Sequence, residues 1–311
     1  MKKSMKHTSL LRGFTIVELM VVIVVIAILA VIAFVSYNGI QNQARASALI
    51  SDVRQIGDSL KLATADTNGL TPASLTNLDV SVPSKYTAEY WRYDNNRAFC
   101  VSYSLTGNTS VKPYHVASYK KDTSPQPGAC SDAESAADGF LGYSSSVSTP
   151  GAFDATNPFG DFTAYVAFEV SSMDAAWSSM AASGNATATG KFQFDQSSAG
   201  SNVLRIRIDT SVSTNFTLSQ GGVRTNGRHL GWMQVSDNAT KVALAYDQTG
   251  AYASGTLPTS TGFALTNMRL TSASAGMLPL ATAIYDKAHT DKERSHVLQW
   301  LAKKFSIPGT F

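Results

Sequence analysis

A long apolar segment near the N-terminus constrains this chain more than any other feature. From Leu19 to Val35 no residue is charged, which at about 1.5 Å per residue gives about 25 Å of apolar helix. Adding residues 14–17 brings the segment close to the roughly 30 Å of a bilayer's hydrocarbon core. Four basic residues precede it: Lys2, Lys3, Lys6 and Arg12. By the positive-inside rule this basic flank stays in the cytoplasm. The segment therefore predicts one membrane-spanning helix with the rest of the chain outside.

An acidic residue, Glu18, lies at the start of this apolar run. An acidic side chain at mid-membrane costs about 2.5–3.5 kcal/mol on insertion scales, and less near the interface. A cleaved secretory signal has a shorter apolar region followed by small residues, and a plain signal anchor gains nothing from an acid. The position of Glu18 therefore predicts a function that involves a charged partner.

Residues 13–19, Gly-Phe-Thr-Ile-Val-Glu-Leu, resemble the processing site of type IV prepilins. The resemblance implies that the prepilin peptidase cuts after Gly13 and that the new N-terminal residue, Phe14, is methylated. It also implies that the Glu18 carboxylate faces the N-terminal amine of a neighbouring subunit. Such a pair attracts strongly in low dielectric, and a missing partner is costly.

One position departs from the pattern of many pilins. They carry a proline, which breaks helices, where this chain has Val35. The departure predicts a helix that is either more continuous or loosened at another position. The filament geometry of the family therefore does not transfer directly to this chain.

Beyond the apolar segment the sequence predicts an amphipathic continuation of the helix. Its apolar face is formed by Ile40, Ala44, Leu49, Val53, Ile56, Leu60 and Ala63. Asn68-Gly69, followed by Pro72, predicts the end of the helix. We therefore expect a leader over residues 1–13, a transmembrane and stem helix over 14–67, and a globular head over 68–130.

The two cysteines, Cys100 and Cys130, predict a disulfide, because paired cysteines in an exported domain are more often bonded than free. The loop of about 30 residues that it closes is worth roughly 3–4 kcal/mol in the chain-entropy model. The histidines show no metal-ligand spacing with the cysteines, so we predict neither a metal site nor a cofactor.

Residues 131–311 extend well past an ordinary pilin, and their apolar residues alternate with polar ones. Segments 162–170 and 203–209 show this period of two, and many short strands with polar turns are typical of a sandwich. The stretches RHLGWMQVSDNATKVALAYDQTGAY and IYDKAHTDKERSHVLQWLAKKFSI resemble the central strand pair and the closing strand and helix of concanavalin A-like (laminin G-like) lectin/glucanase domains. The implied fold is an α+β pilin, with a long helix and a small β head, followed by an all-β jelly-roll sandwich with a short C-terminal helix.

A glycan hydrolase of this fold needs two positioned carboxylates, which related glucanases carry as E-x-D-x-x-E. Around Glu169 the middle acid is replaced by Ser171 and the last by the shorter Asp174. We therefore predict no enzymatic activity. Several aromatic side chains have the shape to stack on sugars, but such residues more often form the core, so no ligand-binding residue is assigned. These are Trp177, Trp232, Tyr246, Tyr252 and Trp300.

Together these features predict a structural or adhesive subunit of a type IV pilus-like filament that displays a lectin-like domain to a glycan or a cell-surface protein. Its partners would be other pilin subunits, the prepilin peptidase and the pilus assembly machinery. It would lie in the cytoplasmic membrane before assembly and in an extracellular filament afterwards. The scattered net charge of +3 does not predict nucleic-acid binding. Two alternatives stay open: a pseudopilin of a type II secretion or DNA-uptake system, and a filament-tethered glycan hydrolase.

The processing site gives a first prediction. We expect the mature protein to begin at a methylated Phe14, because the leader hides the terminal amine in a peptide bond and adds positive charge. Mass spectrometry of the native N-terminus measures this directly. An intact Met1, or a start near Phe34, would contradict the prepilin resemblance.

Overall fold

The computed structural model describes residues 16–78, 81–138, 140–144, 160–171, 179–182, 192–196, 203–209, 215–221, 226–257, 269–270, 277–309 and 311. It confirms the predicted class, because a long N-terminal helix is followed by antiparallel sheets and a short C-terminal helix.

The first helix, α1, runs from Ile16 to Asp66. It passes through position 35 without a break, as expected where proline is absent. It ends where Asn68 and Gly69 take positive φ angles of 55° and 84°, and the Gly69 amide donates to the Thr64 carbonyl at 2.8 Å. A left-handed residue after the last turn is a common helix stop, because it turns the chain while satisfying a terminal carbonyl.

A four-stranded antiparallel sheet packs against the second half of α1. Its strands, in spatial order, are β1 (Tyr86–Tyr93), β2 (Ala98–Leu105), β3 (Tyr114–Ala117) and β4 (Gln126–Pro127). We call this sheet the head sheet. One cluster of buried side chains joins it to the helix: Leu49, Val53, Ile56, Leu60, Tyr86, Phe99, Val101, Tyr103 and Val116.

The helix makes its closest approach to the head sheet at Gly57. A Cβ atom at this position would lie 2.8 Å from Cγ1 of Val116, which is closer than two carbon atoms can pack. Glycine costs about 1 kcal/mol relative to alanine inside a helix. The close contact explains why the chain carries a glycine here.

The predicted disulfide between Cys100 and Cys130 is present, with 5.8 Å between the two Cα atoms. Cys100 lies on β2, and Cys130 follows β4. The bond therefore ties the segment after the last head strand to the middle of the head sheet.

Two further antiparallel sheets follow in the described part of the chain. Their strands are β5 (Phe140–Ser144), β6 (Phe162–Val170), β7 (Ser179–Ala182), β8 (Phe192–Gln196), β9 (Leu204–Asp209), β10 (Asn215–Gln220), β11 (Gly227–Ser236), β12 (Lys241–Tyr246), β13 (Ala253–Thr256), β14 (Arg269–Leu270) and β15 (Met277–Tyr285). A six-stranded sheet has the order β13-β12-β11-β6-β15-β5, and a five-stranded sheet has the order β10-β9-β8-β7-β14.

The inner faces of these two sheets enclose the core of a β-sandwich. The alternation read from the sequence is confirmed, because Phe162, Val166 and Phe168 point into this core from β6. Strand β9 contributes Leu204, Ile206 and Ile208, each at most 1% exposed. A period of two thus places one side of each strand against the opposite sheet.

The six-stranded sheet is also buried on its second face. The β6 residues between those of the sandwich core, among them Thr163, Tyr165 and Ala167, are 0% exposed. Tyr165 and Ala167 belong to a second cluster that includes the C-terminal helix. A strand in the middle of three layers therefore buries both of its faces.

The C-terminal helix, α3, runs from Asp291 to Phe305 and starts with a capping box formed by Thr290 and Glu293. The Thr290 amide donates to Oε2 of Glu293 at 2.9 Å, and the Glu293 amide donates to the Thr290 hydroxyl at 3.3 Å. Such reciprocal bonds satisfy two backbone donors that the first turn leaves open. Four apolar residues of the helix are fully buried: Val297, Leu298, Trp300 and Leu301.

Helix α3 lies between the head sheet and the six-stranded sheet. On the head side, the Asp94 amide donates to Oε1 of Gln299 at 3.1 Å, and Nζ of Lys304 donates to the Ser131 carbonyl at 2.8 Å. On the sandwich side, Nη1 of Arg294 donates to Oε1 of Gln234 at 2.8 Å.

Head, sandwich and helix share one cluster of buried residues, which we call the junction core: Tyr93, Ala98, Cys100, Ala117, Cys130, Ala136, Ala137, Tyr165, Ala167, Leu230, Trp232, Ala245, Ala281, Ala283, Tyr285, Val297, Leu298, Trp300, Leu301 and Ile307. The cluster crosses the predicted domain boundary at residue 131. The segment after the disulfide belongs to it too, through helix α2 (Ala133–Ala136). The boundary stays a prediction. A cut there would expose the part of the junction core that the head and the sandwich share.

A chain cut at the boundary tests how far the sandwich depends on the head. We expect a fragment of residues 131–311 to fold into a β-rich unit but to melt at a lower temperature than the detergent-solubilised whole chain. The reason is that the fragment exposes the head side of α3, including His296 and Gln299. Circular dichroism during heating measures both melting temperatures. Equal values would show that the junction core adds nothing to the stability of the sandwich.

Candidate functional site: an apolar helical stem

The first half of α1 forms an apolar surface that the rest of the described chain does not cover. Exposure of its large apolar side chains runs from 46% at Val22 to 81% at Ile16. Among the described residues, α1 is the one helix long and apolar enough to cross a membrane. A soluble protein rarely leaves so large a contiguous apolar surface in water, so this surface marks a membrane or protein contact.

Glu18 lies in the first described turn of α1, within this apolar surface. A carboxylate near the N-terminal end of a helix interacts favourably with the helix dipole. Gly13 and Phe14, the predicted processing residues, lie outside the described residues, so the processing site and the predicted assembly role of Phe14 stay predictions.

The exposed apolar surface, which we call the stem surface, continues past the membrane segment. Ile40 is 66% exposed, whereas Leu49, Val53 and Ile56 are fully buried against the head sheet. The sequence predicted one apolar face from Ile40 to Ala63, without showing which part of it is covered. Ile40 and Ala44 are both exposed, because the head sheet first reaches α1 at Leu49.

Glu169, which the sequence analysis considered as a hydrolase carboxylate, is engaged in an ion pair. Its Oε2 accepts from Nε of Arg228 at 2.9 Å, and Nη1 of the same arginine donates to the Phe305 carbonyl at 2.6 Å. The pair links strand β6, strand β11 and the end of α3. Asp174 lies outside the described residues. The arrangement gives Glu169 a structural role where these two neighbouring central strands meet the end of α3.

Most of the described aromatic candidates for sugar stacking are core residues. Trp232, Tyr246 and Trp300 are at most 1% exposed, whereas Tyr252 is 54% exposed. The Trp232 indole donates to the Gln248 carbonyl at 2.8 Å. Trp177 lies outside the described residues. Tyr252 is therefore accessible to a sugar, whereas the three buried rings are not.

Two buried histidines, His289 and His296, lie among tyrosine rings. The His296 ring is centred 4.3 Å from that of Tyr119 and 5.8 Å from that of Tyr93, so it joins α3 to the head. Nδ1 of His289 lies 2.6 Å from the Tyr165 hydroxyl. Burial lowers the pKa of each imidazole to about 4, because the charged form would lose its hydration.

A third histidine, His115, is buried in the head sheet with Nδ1 3.1 Å from the Gly128 carbonyl. Burial lowers its pKa to about 4 as well. No role for these histidines was predicted from the sequence, because a single polar residue in an apolar segment shows no period. Among the described residues, no group of three or more His, Cys, Asp and Glu side chains is arranged to hold a metal ion.

A comparison with known families bears on the apolar N-terminal helix and its acidic residue, Glu18. Residues 11–34 match the family model of the prokaryotic N-terminal methylation motif. The predicted resemblance to type IV pilins is thereby confirmed for this segment, which contains Gly13, Phe14 and Glu18. Curated protein sequences give no match to the chain.

Several solved structures are weakly similar to the chain. The IT-sialidase CBM40 of Ruminococcus gnavus bound to α2,3-sialyllactose is 10% identical, with a TM-score of 0.35, and the match covers 45% of this chain and 83% of that one. A leech intramolecular trans-sialidase is 13% identical, with a TM-score of 0.37 and coverages of 51% and 28%. The binding domain of botulinum neurotoxin DC in complex with SialylT is 7% identical, with a TM-score of 0.38 and coverages of 74% and 49%. These TM-scores are too low to support an argument from the similar structures. The description of the sandwich therefore rests on its own strand order and core.

The buried histidines predict an acid-sensitive stability. Their pKa values are lowered from 6.5 to about 4 in the folded chain. Their contribution is therefore complete above pH 6.5 and is lost as the pH falls towards 4, because the unfolded chain takes up protons that the folded chain excludes. We expect the melting temperature to fall steadily between pH 6.5 and about 4.5, above the range where most carboxylates titrate.

The matched control is His296→Gln, which keeps a polar side chain but cannot titrate. Its melting temperature should depend less steeply on pH over the same window than that of the unchanged chain. A melting temperature that stays constant from pH 6.5 to 4.5 in the unchanged chain would contradict burial of neutral histidines.

Proposed function

We propose that this chain is a structural or adhesive subunit of a type IV pilus-like filament and that it displays its β-sandwich outside the filament. The observation that carries the proposal is the methylation motif on a helix whose first half is apolar and exposed. Such a helix suits two successive environments, the membrane before assembly and the helical core of a filament afterwards, because both exclude water from its side chains.

In this proposal the peptidase cuts between Gly13 and Phe14 and frees a positive amine at the start of the stem. The Glu18 carboxylate of the neighbouring subunit then lies opposite that amine. Because the surroundings are apolar, the pair is strongly attractive when complete and costly when one member is missing. The interaction would therefore fix the register of each incoming subunit. The stem surface up to Ile40 would supply the remaining contact area.

The junction core supports a display role for the sandwich. Since α3 contacts the head on one side and the six-stranded sheet on the other, the sandwich is held against the head rather than tethered by a flexible linker. A ligand-binding surface on the sandwich would then keep a fixed orientation relative to the stem. A pseudopilin with the same motif would use the sandwich as a docking platform, and the location of the assembled protein separates the two functions.

Substitution of Glu18 tests the assembly role. We expect Glu18→Gln, which keeps the size and polarity of the side chain but removes its charge, to insert and be cleaved normally yet to enter filaments poorly. The loss should be about tenfold or more, since one unpaired buried charge costs several kcal/mol. Immunoblots of membranes and of sheared extracellular filaments measure the two pools.

Arg54→Gln provides the matched control, because it also removes one charge from α1 but at an exposed position beside the head. It should assemble like the unchanged chain. Normal incorporation of Glu18→Gln would refute the charge pairing. Absence of the unchanged protein from extracellular filaments, with retention in the cell envelope, would favour the pseudopilin function.

A further inference from the structure

The hairpin end of the head sheet, beside α3, carries basic side chains from distant parts of the chain. Arg92 lies near the end of β1, Arg97 follows the turn that leads to β2, and Lys303 lies near the end of α3. All three residues are exposed. We call them the basic row. Charges that are scattered in the sequence are thus brought to one place by the fold.

The strand register brings the two arginines of the basic row close together. Arg92 is paired with Phe99 across the ladder between β1 and β2, and Arg97 precedes Phe99 by two residues. From the spacing between strands and the rise along a strand, the Cα atoms of the two arginines are roughly 8 Å apart. The Arg97 amide also donates to the Tyr93 carbonyl at 3.1 Å, which holds Arg97 at the end of β1.

Lys303 joins the row from the side of α3. Its Nζ lies 4.4 Å from the centre of the Trp91 ring, and Trp91 is the neighbour of Arg92 in β1. Desolvation lowers the pKa of Lys303, the charge of Arg92 lowers it further, and Glu89 acts in the opposite direction. Lys303 and Arg92 are therefore close enough to repel each other, and an anion that binds both would relieve this repulsion.

The two acidic side chains of β1 and its turn are occupied by other partners. The carboxylate of Glu89 accepts from Ser131, from its amide at 2.9 Å and from its hydroxyl at 3.0 Å. Oδ2 of Asp94 lies 3.6 Å from Nζ of Lys292. In the part of the chain that the structure describes, no carboxylate lies within ion-pair distance of the basic row. The charge of the row is therefore available to a ligand.

An exposed row of cations suits a polyanion better than a small anion. Each contact alone is weak, because water and salt screen exposed charges. A polymer contacts several cations at once and releases the counterions that are condensed on it. Duplex DNA has the charge density that this binding mode needs, since it carries one negative charge per about 1.7 Å of its axis. Guanidinium groups add bidentate hydrogen bonds to phosphate oxygens.

We propose that the basic row binds the phosphate backbone of DNA, with the guanidinium groups of Arg92 and Arg97 and the ammonium group of Lys303 on neighbouring phosphates. Backbone contacts position a protein on DNA without reading its bases, so the binding is independent of sequence. This function goes beyond filament assembly and does not rest on it, because the basic row lies on the head and α3 rather than on the stem surface.

The test uses the full chain in a non-ionic detergent and a short, fluorescently labelled DNA duplex of mixed sequence. Fluorescence anisotropy gives the association constant over a series of salt concentrations. We expect its logarithm to fall with the logarithm of the salt concentration with a slope of about −2.7, from about −0.9 for each of three phosphate contacts. Arg92→Gln should reduce this slope by about one and weaken binding about eightfold at about 0.1 M salt. Arg92→Lys keeps the charge and should keep the slope.

Lys112→Gln is the matched control, because it removes an exposed cation before β3, at the opposite end of the head sheet. It should bind DNA like the unchanged chain, and melting temperatures show which variants are folded. Absence of duplex binding, unchanged affinity and slope in folded Arg92→Gln, or an equal loss in Lys112→Gln would each overturn the proposal. Binding to polygalacturonate or polyglutamate that is at least as tight, at the same concentration of negative charge, would also overturn it, in favour of an acidic polysaccharide or an acidic protein.

Discussion

Helix α3 packs against two sheets at once, and the arrangement of the whole described chain beyond the stem depends on this contact. Burying a large apolar side chain is worth about 1.5–3 kcal/mol, and α3 buries Val297, Leu298 and Leu301 completely. Arg294 adds a polar contact. Its guanidinium lies 4.4 Å from the Trp232 ring and also donates to Gln234 of the sandwich. The helix is therefore part of the core on both the head side and the sandwich side.

The stem differs from α3, because only part of it is buried in the folded chain. Its first half keeps its apolar residues outside the folded unit, and Leu49 marks the point at which the same helix begins to bury them. One continuous helix thus carries an intermolecular surface at one end and an intramolecular core at the other. The absence of a proline at Val35 favours a continuous helix, and the tight contact at Gly57 holds its second half against the head sheet.

Local features were predictable from the sequence, and contacts across long distances were not. The capping box at Thr290, the disulfide and the alternation along β6 follow from spacing and residue type alone. The junction core does not, because periodicity shows that a face is apolar without showing what covers it. The same limit explains why the exposure of Ile40 and the burial of three candidate aromatic rings did not follow from the sequence.

The order of elements along the chain determines when the protein can finish folding. The Asp94 amide pairs with a side chain 205 residues later, and contacts of such sequence separation slow folding because a long loop must close first. In a chain made from the N-terminus onwards, α1, the head strands and both cysteines emerge before α3 does. The side of the head that α3 covers therefore stays open until α3 has been made. Folding is complete only after α3 has packed, so a chain that stops before α3 keeps an unfinished head.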